Sequence, residues 1–154
     1  MTMTQHTVTI GRPIEEIWGY LMDNRNDEVW ITNVVEVDRG ADVPPALGVE
    51  VDQTVKFLGV KLPVTLTVTE HEPPVRSAVD VRGPVDGRGS YRLEPVTGGT
   101  RLTISMETDA HGFFKLAEPV FARMVRRDMV ASCENLKDIL EANGSRNVSR
   151  TDGP

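Results

Sequence analysis

Cysteine is nearly absent. Cys133 is the single one in 154 residues, so no internal disulfide can form and a reducing compartment fits. No Cys-His signature surrounds it, and a small core residue is the better reading than a nucleophile. Histidine is sparse too. His6, His71 and His111 lie far apart with no His-x-x-x-His spacing, so no metal site and no cofactor are expected. No run of eighteen apolar residues occurs, which argues against stable membrane insertion. The start, Met1-Thr2-Met3-Thr4-Gln5-His6, lacks the charged and apolar parts of a secretory signal, and the expected location is the cytoplasm. Without that signal, Asn147-Val148-Ser149 carries no weight as a glycosylation site. Basic charge is short: 17 Lys and Arg against 23 Asp and Glu leave a net charge of -6, which argues against a nucleic-acid partner. Gly-x-Ser-x-Gly is missing, and Gly87-Arg88-Gly89-Ser90 lacks the strand-to-helix context of a phosphate loop.

What is present is a long helical pattern near the C-terminus, roughly 112–143. Phe113, Ala117, Val120, Phe121 and Met124 recur at helical steps, and Met129, Leu136, Ile139 and Leu140 continue the face. Arg123, Arg126 and Arg127 fall on the other side, a solvated face balanced by Asp128 and Glu134. Asn143-Gly144 marks the helix end, so residues 1–143 form one domain and 144–154 a polar, disordered tail.

The rest reads mostly as strands. His6–Gly11 places Val8 and Ile10 on one face. Pro13 to Met22 follows as a short amphipathic helix, with Glu15 and Glu16 at its positive end and Ile14, Ile17, Trp18 and Leu21 as its stripe. Asp23 to Asp27 breaks that helix, and Glu28-Val29-Trp30 makes another helical turn. Strands then follow at about 33–39, 49–57, 60–68, 75–82, 86–94 and 101–109. Leu58-Gly59 and Thr97-Gly98-Gly99-Thr100 read as hairpin turns. Pro63 cannot donate to a ladder and points to an edge or a bulge. By alternation Glu70 follows Val68 inward and His71 points out, where strand-end charges are normally solvated.

Short turns between successive strands imply an antiparallel meander with helices on one face, an α+β fold. Seven strands at ~4.8 Å make a sheet about 34 Å wide, whereas one helix covers only about 10–12 Å. The sheet must therefore curl around the long helix, and an interior enclosed that way offers a pocket for small apolar ligands. Inward positions predict its lining: Val51, Gln53, Val55 and Phe57, Leu66 and Val68, Tyr91 and Leu93, Ile104 and Met106, then Phe121, Met124 and Val125 from the helix, with Trp30 at the mouth. Gln53 is the polar member of an apolar row and must bond backbone, water or ligand. Tyr91 offers an apolar ring with a hydroxyl handle.

Val8 to Trp18 (Val-Thr-Ile-Gly-Arg-Pro-Ile-Glu-Glu-Ile-Trp), followed by Asp23 and Trp30, resembles the opening of the START-like, or SRPBCC, superfamily, with its bacterial polyketide cyclase/dehydrase-like branch the nearest. Glu72-Pro73-Pro74 and Asn135-Leu136-Lys137-Asp138-Ile139-Leu140-Glu141 look like that branch too, and the likeness spans roughly 6–142. It implies a helix-grip fold: a curved seven-stranded antiparallel sheet wrapped around a long C-terminal helix, with two short helices after the first strand. It leaves several functions open on one scaffold: lipid carriers, aromatase/cyclases and a co-chaperone domain. No local motif allows catalytic residues to be carried across. An apolar wall favours binding of a small hydrophobic or amphipathic ligand, such as a lipid or polyketide-like molecule. A cyclase or dehydratase, needing two converging polar side chains, and a protein-interaction module with a filled core stand as alternatives.

Overall fold

A computed structural model describes the backbone of residues 2–38, 40, 42–110 and 113–151. The elements run β1 (Thr2–Ile10), α1 (Ile14–Met22), a 3-10 turn (Asn24–Asn26), α2 (Asp27–Trp30), β2 (Val34–Val37), β3 (Glu50–Phe57), β4 (Val60–Glu72), β5 (Arg76–Arg82), β6 (Val85–Val96), β7 (Gly99–Ala110), α3 (Phe113–Leu116) and α4 (Glu118–Thr151). The strands form one antiparallel sheet in the order β1-β7-β6-β5-β4-β3-β2. It is a meander from β2 to β7, with β1 added at the far edge; α1 and α2 carry the chain between the two edge strands. The sheet curves around α4 as the helix-grip expectation requires.

Two turns show why particular residues are needed. At the β3–β4 hairpin Leu58 and Gly59 both take positive φ, 51° and 77°, the pair of left-handed residues that a tight two-residue turn demands. Gly99 opens β7 where a Cβ would run into the Ile10 carbonyl, so the hairpin beside β1 needs glycine.

Pro63 lies in β4 opposite Thr54, with no register shift beside it. Pairing of β4 with β5 begins only at Thr65, so at Pro63 the strand has a neighbour on one side alone. The bulge of β4 comes later, between Val68 and Glu70. It reverses the alternation expected for the strand end. His71 turns to the inner face, its ring 5.7 Å from that of Trp18, while Glu70 pairs with Arg76 and Arg88, each at 3.0 Å.

The helical expectation of one rod from 112 to 143 is corrected at both ends. Pro119 in the first turn of α4 lacks the N–H a continuous helix would use, and α3 stops at Leu116. At the other end α4 runs through Asn143-Gly144 to Thr151. Gly144 does not take the positive φ of a helix cap; the Arg12 side chain crosses it so closely that a Cβ would come within 2.5 Å of Nη1. Residues 152–154 of the expected tail lie outside the described residues. Val120, expected on the buried stripe, is 52% exposed; Phe121, Val125, Met129, Cys133, Leu136 and Leu140 form the buried face.

The core has two parts. One is tightly filled: Ile10, Ile17, Leu21, Leu93, Leu102, Leu136 and Leu140 bring β1, α1, β6, β7 and the later turns of α4 together, each at most 2% exposed. The other gathers Val34, Val55, Leu62, Val64, Val85, Phe121 and Val125 under the early turns of α4. The second part surrounds a void.

Candidate functional site

That void is a cavity of about 220 Å³, many times the space a single water needs. From β3 come Gln53, Val55 and Phe57; from β4, Leu66 and Val68. Tyr91, Ile104 and Met106 line it from β6 and β7, and Phe121 and Val125 from α4, where the Phe57 and Phe121 rings meet at 5.2 Å. Trp30 also lines it, but from within rather than at the mouth, because it is only 2% exposed. Three expected lining residues fall elsewhere. Val51 is buried near the loop end of β3, Leu93 is taken up by the filled core, and Met124 sits half-buried on the flank of the α4 stripe. The wall also holds residues the sequence reading missed, among them Asp27, Leu62, Val64, Val79 and Ser132.

Some of the space comes from glycine. Gly87 and Gly89 occupy inward positions of β6, opposite Thr108 and Met106, where larger residues would project into the cavity. At Gly87 a Cβ would also strike the Glu107 carbonyl.

Asp27 is the chemical centre of the wall. It opens α2 and is 3% exposed. Its Oδ2 accepts from Gln53 Nε2 at 2.6 Å and from Asn24 Nδ2 at 3.0 Å. Gln53 thus meets its requirement through a side chain, a partner the sequence reading did not consider. Burial pushes the Asp27 carboxyl up to about 6; the bonds from Asn24 and Gln53 hold it back, and the nearby Asp23 charge raises it further. Oδ1 of Asp27 and the indole Nε1 of Trp30 are both shut off from solvent, and the indole, on the same turn, also favours the ionised carboxyl. The Trp30 ring packs against Tyr91 at 6.1 Å. The Tyr91 hydroxyl is buried, which with the Asp27 charge drives its pKa well above the usual value, so it stays a neutral phenol.

Backbone anchors place this cluster. Asn135 Nδ2 donates to the Trp30 carbonyl at 3.4 Å, and the Thr32 amide donates to Ser132 Oγ at 3.0 Å. The short α2 segment is therefore pinned at its end to the middle of α4, and its first residue meets β3. Cys133, on the same helix, is fully buried and its thiol is pushed up to about 11, which makes it a packing residue rather than a nucleophile. Among the described residues no three of His, Cys, Asp and Glu come together in the manner of a metal site, and no helix is long and apolar enough to cross a membrane.

The signal for Asp27 was available in part. An amide in an otherwise apolar inward row needs a polar partner, but a sequence alone does not say which of many acids supplies it.

Comparison with known proteins fits this architecture. Comparison with the curated proteins returns no match. Among solved structures, TTHA0849 from Thermus thermophilus superposes with a TM-score of 0.78 at 13% identity, covering 92% of this chain and 99% of that one. A conserved protein from Geobacillus kaustophilus gives 0.75 at 17% identity, over 92% and 96% of the two chains. The Zhui aromatase/cyclase from Streptomyces sp. R1128 gives 0.73 at 19% identity, over 99% of both. At such identities these likenesses establish the fold alone. The family model described as "Polyketide cyclase / dehydrase and lipid transport" matches residues 1–141. With nearly the whole chain matched, from β1 to the later turns of α4, the protein belongs to the polyketide cyclase/dehydrase and lipid transport family.

Proposed function

We propose that the protein binds a small hydrophobic or amphipathic molecule, such as a lipid or polyketide-like compound, inside the cavity between sheet and α4, and carries or sequesters it. The observation that supports this reading is an interior void with a largely apolar wall, on which Asp27, Gln53, Trp30 and Tyr91 form a polar cluster. A cavity of this kind costs stability when empty, because its lining forgoes dispersion contacts that a guest restores.

A second reading is acid–base chemistry on a bound polyketide-like chain. It is supported by the buried Asp27 carboxyl, whose pKa of about 6 suits proton transfer near neutrality, and by the neutral Tyr91 phenol beside it.

Native mass spectrometry of protein purified without detergent, then incubated with lipid extract and with a linear poly-β-ketone, tests both. The expected result is added mass from a retained guest. Loss of one water from the bound polyketone, abolished in Asp27→Asn, would favour catalysis. A bare protein mass under every condition overturns the binding reading.

A further inference from the structure

Exposed apolar side chains gather at both ends of the sheet, and charge tells the two groups apart. Successive hairpins put the β3–β4 turn, the β5–β6 turn and the end of β7 on one side, and the β2–β3, β4–β5 and β6–β7 turns on the other. At the first end Leu58, Val60, Leu116 and Val120 are exposed, Leu116 to 88%. The rings of Phe57 and Phe121, 5.2 Å apart, tie the β3–β4 hairpin to the opening turns of α4, so the four side chains flank one contact. Phe57 and Phe121 also line the cavity, with Val85 and Thr108 of the same end. The bare apolar tips therefore stand where the cavity reaches this end of the sheet.

Basic residues surround them. Lys56 and Lys61 are directly opposed across the β3–β4 pair, Lys115 precedes Leu116, and Arg82 closes β5; all four are exposed. Like charges directly opposite one another destabilise a sheet, a strain that an anionic partner relieves. The acids nearby are Asp86, Asp109 and Glu118. Asp86 accepts from the Gly83 amide and Glu118 from the Thr2 hydroxyl. At the other end the balance reverses. Val43, Leu47 and Val75 are exposed there among Asp38, Asp42, Glu50 and Glu72, and Arg76 beside them is bonded to Glu70. A chain of net charge -6 thus brings basic residues and apolar tips together at the end lined by Phe57 and Phe121.

We propose that this end docks on an anionic phospholipid bilayer, the four apolar side chains entering the interface while Lys56, Lys61, Arg82 and Lys115 meet lipid phosphates. The tips sit on three separate segments and none lines the cavity, which suits a soft apolar medium better than the fixed contours of a folded partner. Two copies meeting through this end would set lysine against lysine. Docking is peripheral, since no described helix is long and apolar enough to cross the bilayer. The purpose of docking rests on the ligand-binding reading: a hydrophobic guest then passes between bilayer and cavity without crossing water.

The test floats the full chain, with no guest added, on vesicles of phosphatidylcholine alone or with phosphatidylglycerol, at low and high salt. Binding to the anionic vesicles is expected to be at least about tenfold tighter and to weaken as salt rises. Lys56→Glu combined with Lys61→Glu should lower it about tenfold or more. Leu116→Ser should lower it too, whereas Leu47→Ser at the opposite end should leave it unchanged. All these positions are exposed, so the variants should melt with the native chain. No flotation with anionic vesicles at low salt overturns the proposal, and so does binding that survives the paired lysine variant or is lost in Leu47→Ser. A dimer dissolved by Leu116→Ser, with no vesicle binding, assigns the surface to a second copy and equally overturns it. Because vesicle binding is read without a guest, a bare protein mass in native mass spectrometry removes the carrier reading alone.

Discussion

Asp27 illustrates how one side chain can set both the chemistry and the pH response of a cavity. Its carboxyl is raised to about 6 in the folded chain, first by burial, against about 3.9 for an unfolded aspartate. Between those values the folded chain holds a proton that the unfolded chain has released, so stability falls as pH rises through about 4 to 6 and the loss is complete above that window. Two units correspond to about 3 kcal/mol in order of magnitude. Asp27→Asn cannot titrate. The melting temperature of the variant minus that of the native chain should therefore climb from pH 4 to 6 and level off by pH 7. Taking the difference cancels groups that titrate independently of Asp27; Asp23 is coupled to it, but its bonds to Arg25 hold it below this window. A flat difference across the range would show that Asp27 is not the buried acid described here. The sequence could not disclose this role. Asp23-Asn24-Arg25-Asn26-Asp27 is polar throughout and breaks a helix, and an acid in the first turn of the next helix suits its dipole; neither fact predicts burial.

At the level of elements, the strands and α1 were legible because period-2 and period-3.6 patterns are written directly in the side chains. Ile17, Trp18 and Leu21 are all buried as the stripe requires. What escaped was where the pattern is interrupted. A bulge at Thr69 shifts His71 to the inner face, yet Glu70-His71-Glu72 carries no turn residue to announce it. Long-range anchors are equally silent in sequence. Ser132 sits inside a helix that tolerates many residues there, but its hydroxyl receives the Thr32 amide 100 residues away along the chain. Ser132→Ala leaves that partly buried amide unmet, at a cost of about 1 kcal/mol. Thermal melting should then fall by about 2–4 °C, the shift such a loss brings in a domain of this size. Because the Thr32 anchor follows directly on α2, the Trp30 indole resonance should broaden as well. An unchanged melt and a sharp Trp30 signal would mean that α2 is held by its other contacts alone.

For the whole molecule, the width argument from the sequence leads to the observed shape: a broad apolar sheet has one slender helix to cover it, so it curls. Width alone does not say where the enclosed space is left empty. Here the later turns of α4 press Leu136 and Leu140 into a filled core, whereas the earlier turns hold Phe121 and Val125 over the cavity. One rigid element therefore has a firmly packed half and a loosely packed half. Leu136→Ala removes contacts on every side and should cost about 2–5 kcal/mol. Val125→Ala should cost less than a comparable truncation in a filled core, because part of its surface already faces empty space. Amide hydrogen exchange resolves the same asymmetry along the helix. Amides near 121–129 should exchange faster than those near 133–140, since local opening follows the density of buried contacts. A guest in the cavity should slow the first group selectively. At a free concentration 100 times its Kd, it adds up to about 2.7 kcal/mol to any opening that destroys the site. Uniform protection along α4, unchanged by ligand, would mean that the helix opens as one unit and that filling the cavity does not steady its nearer half.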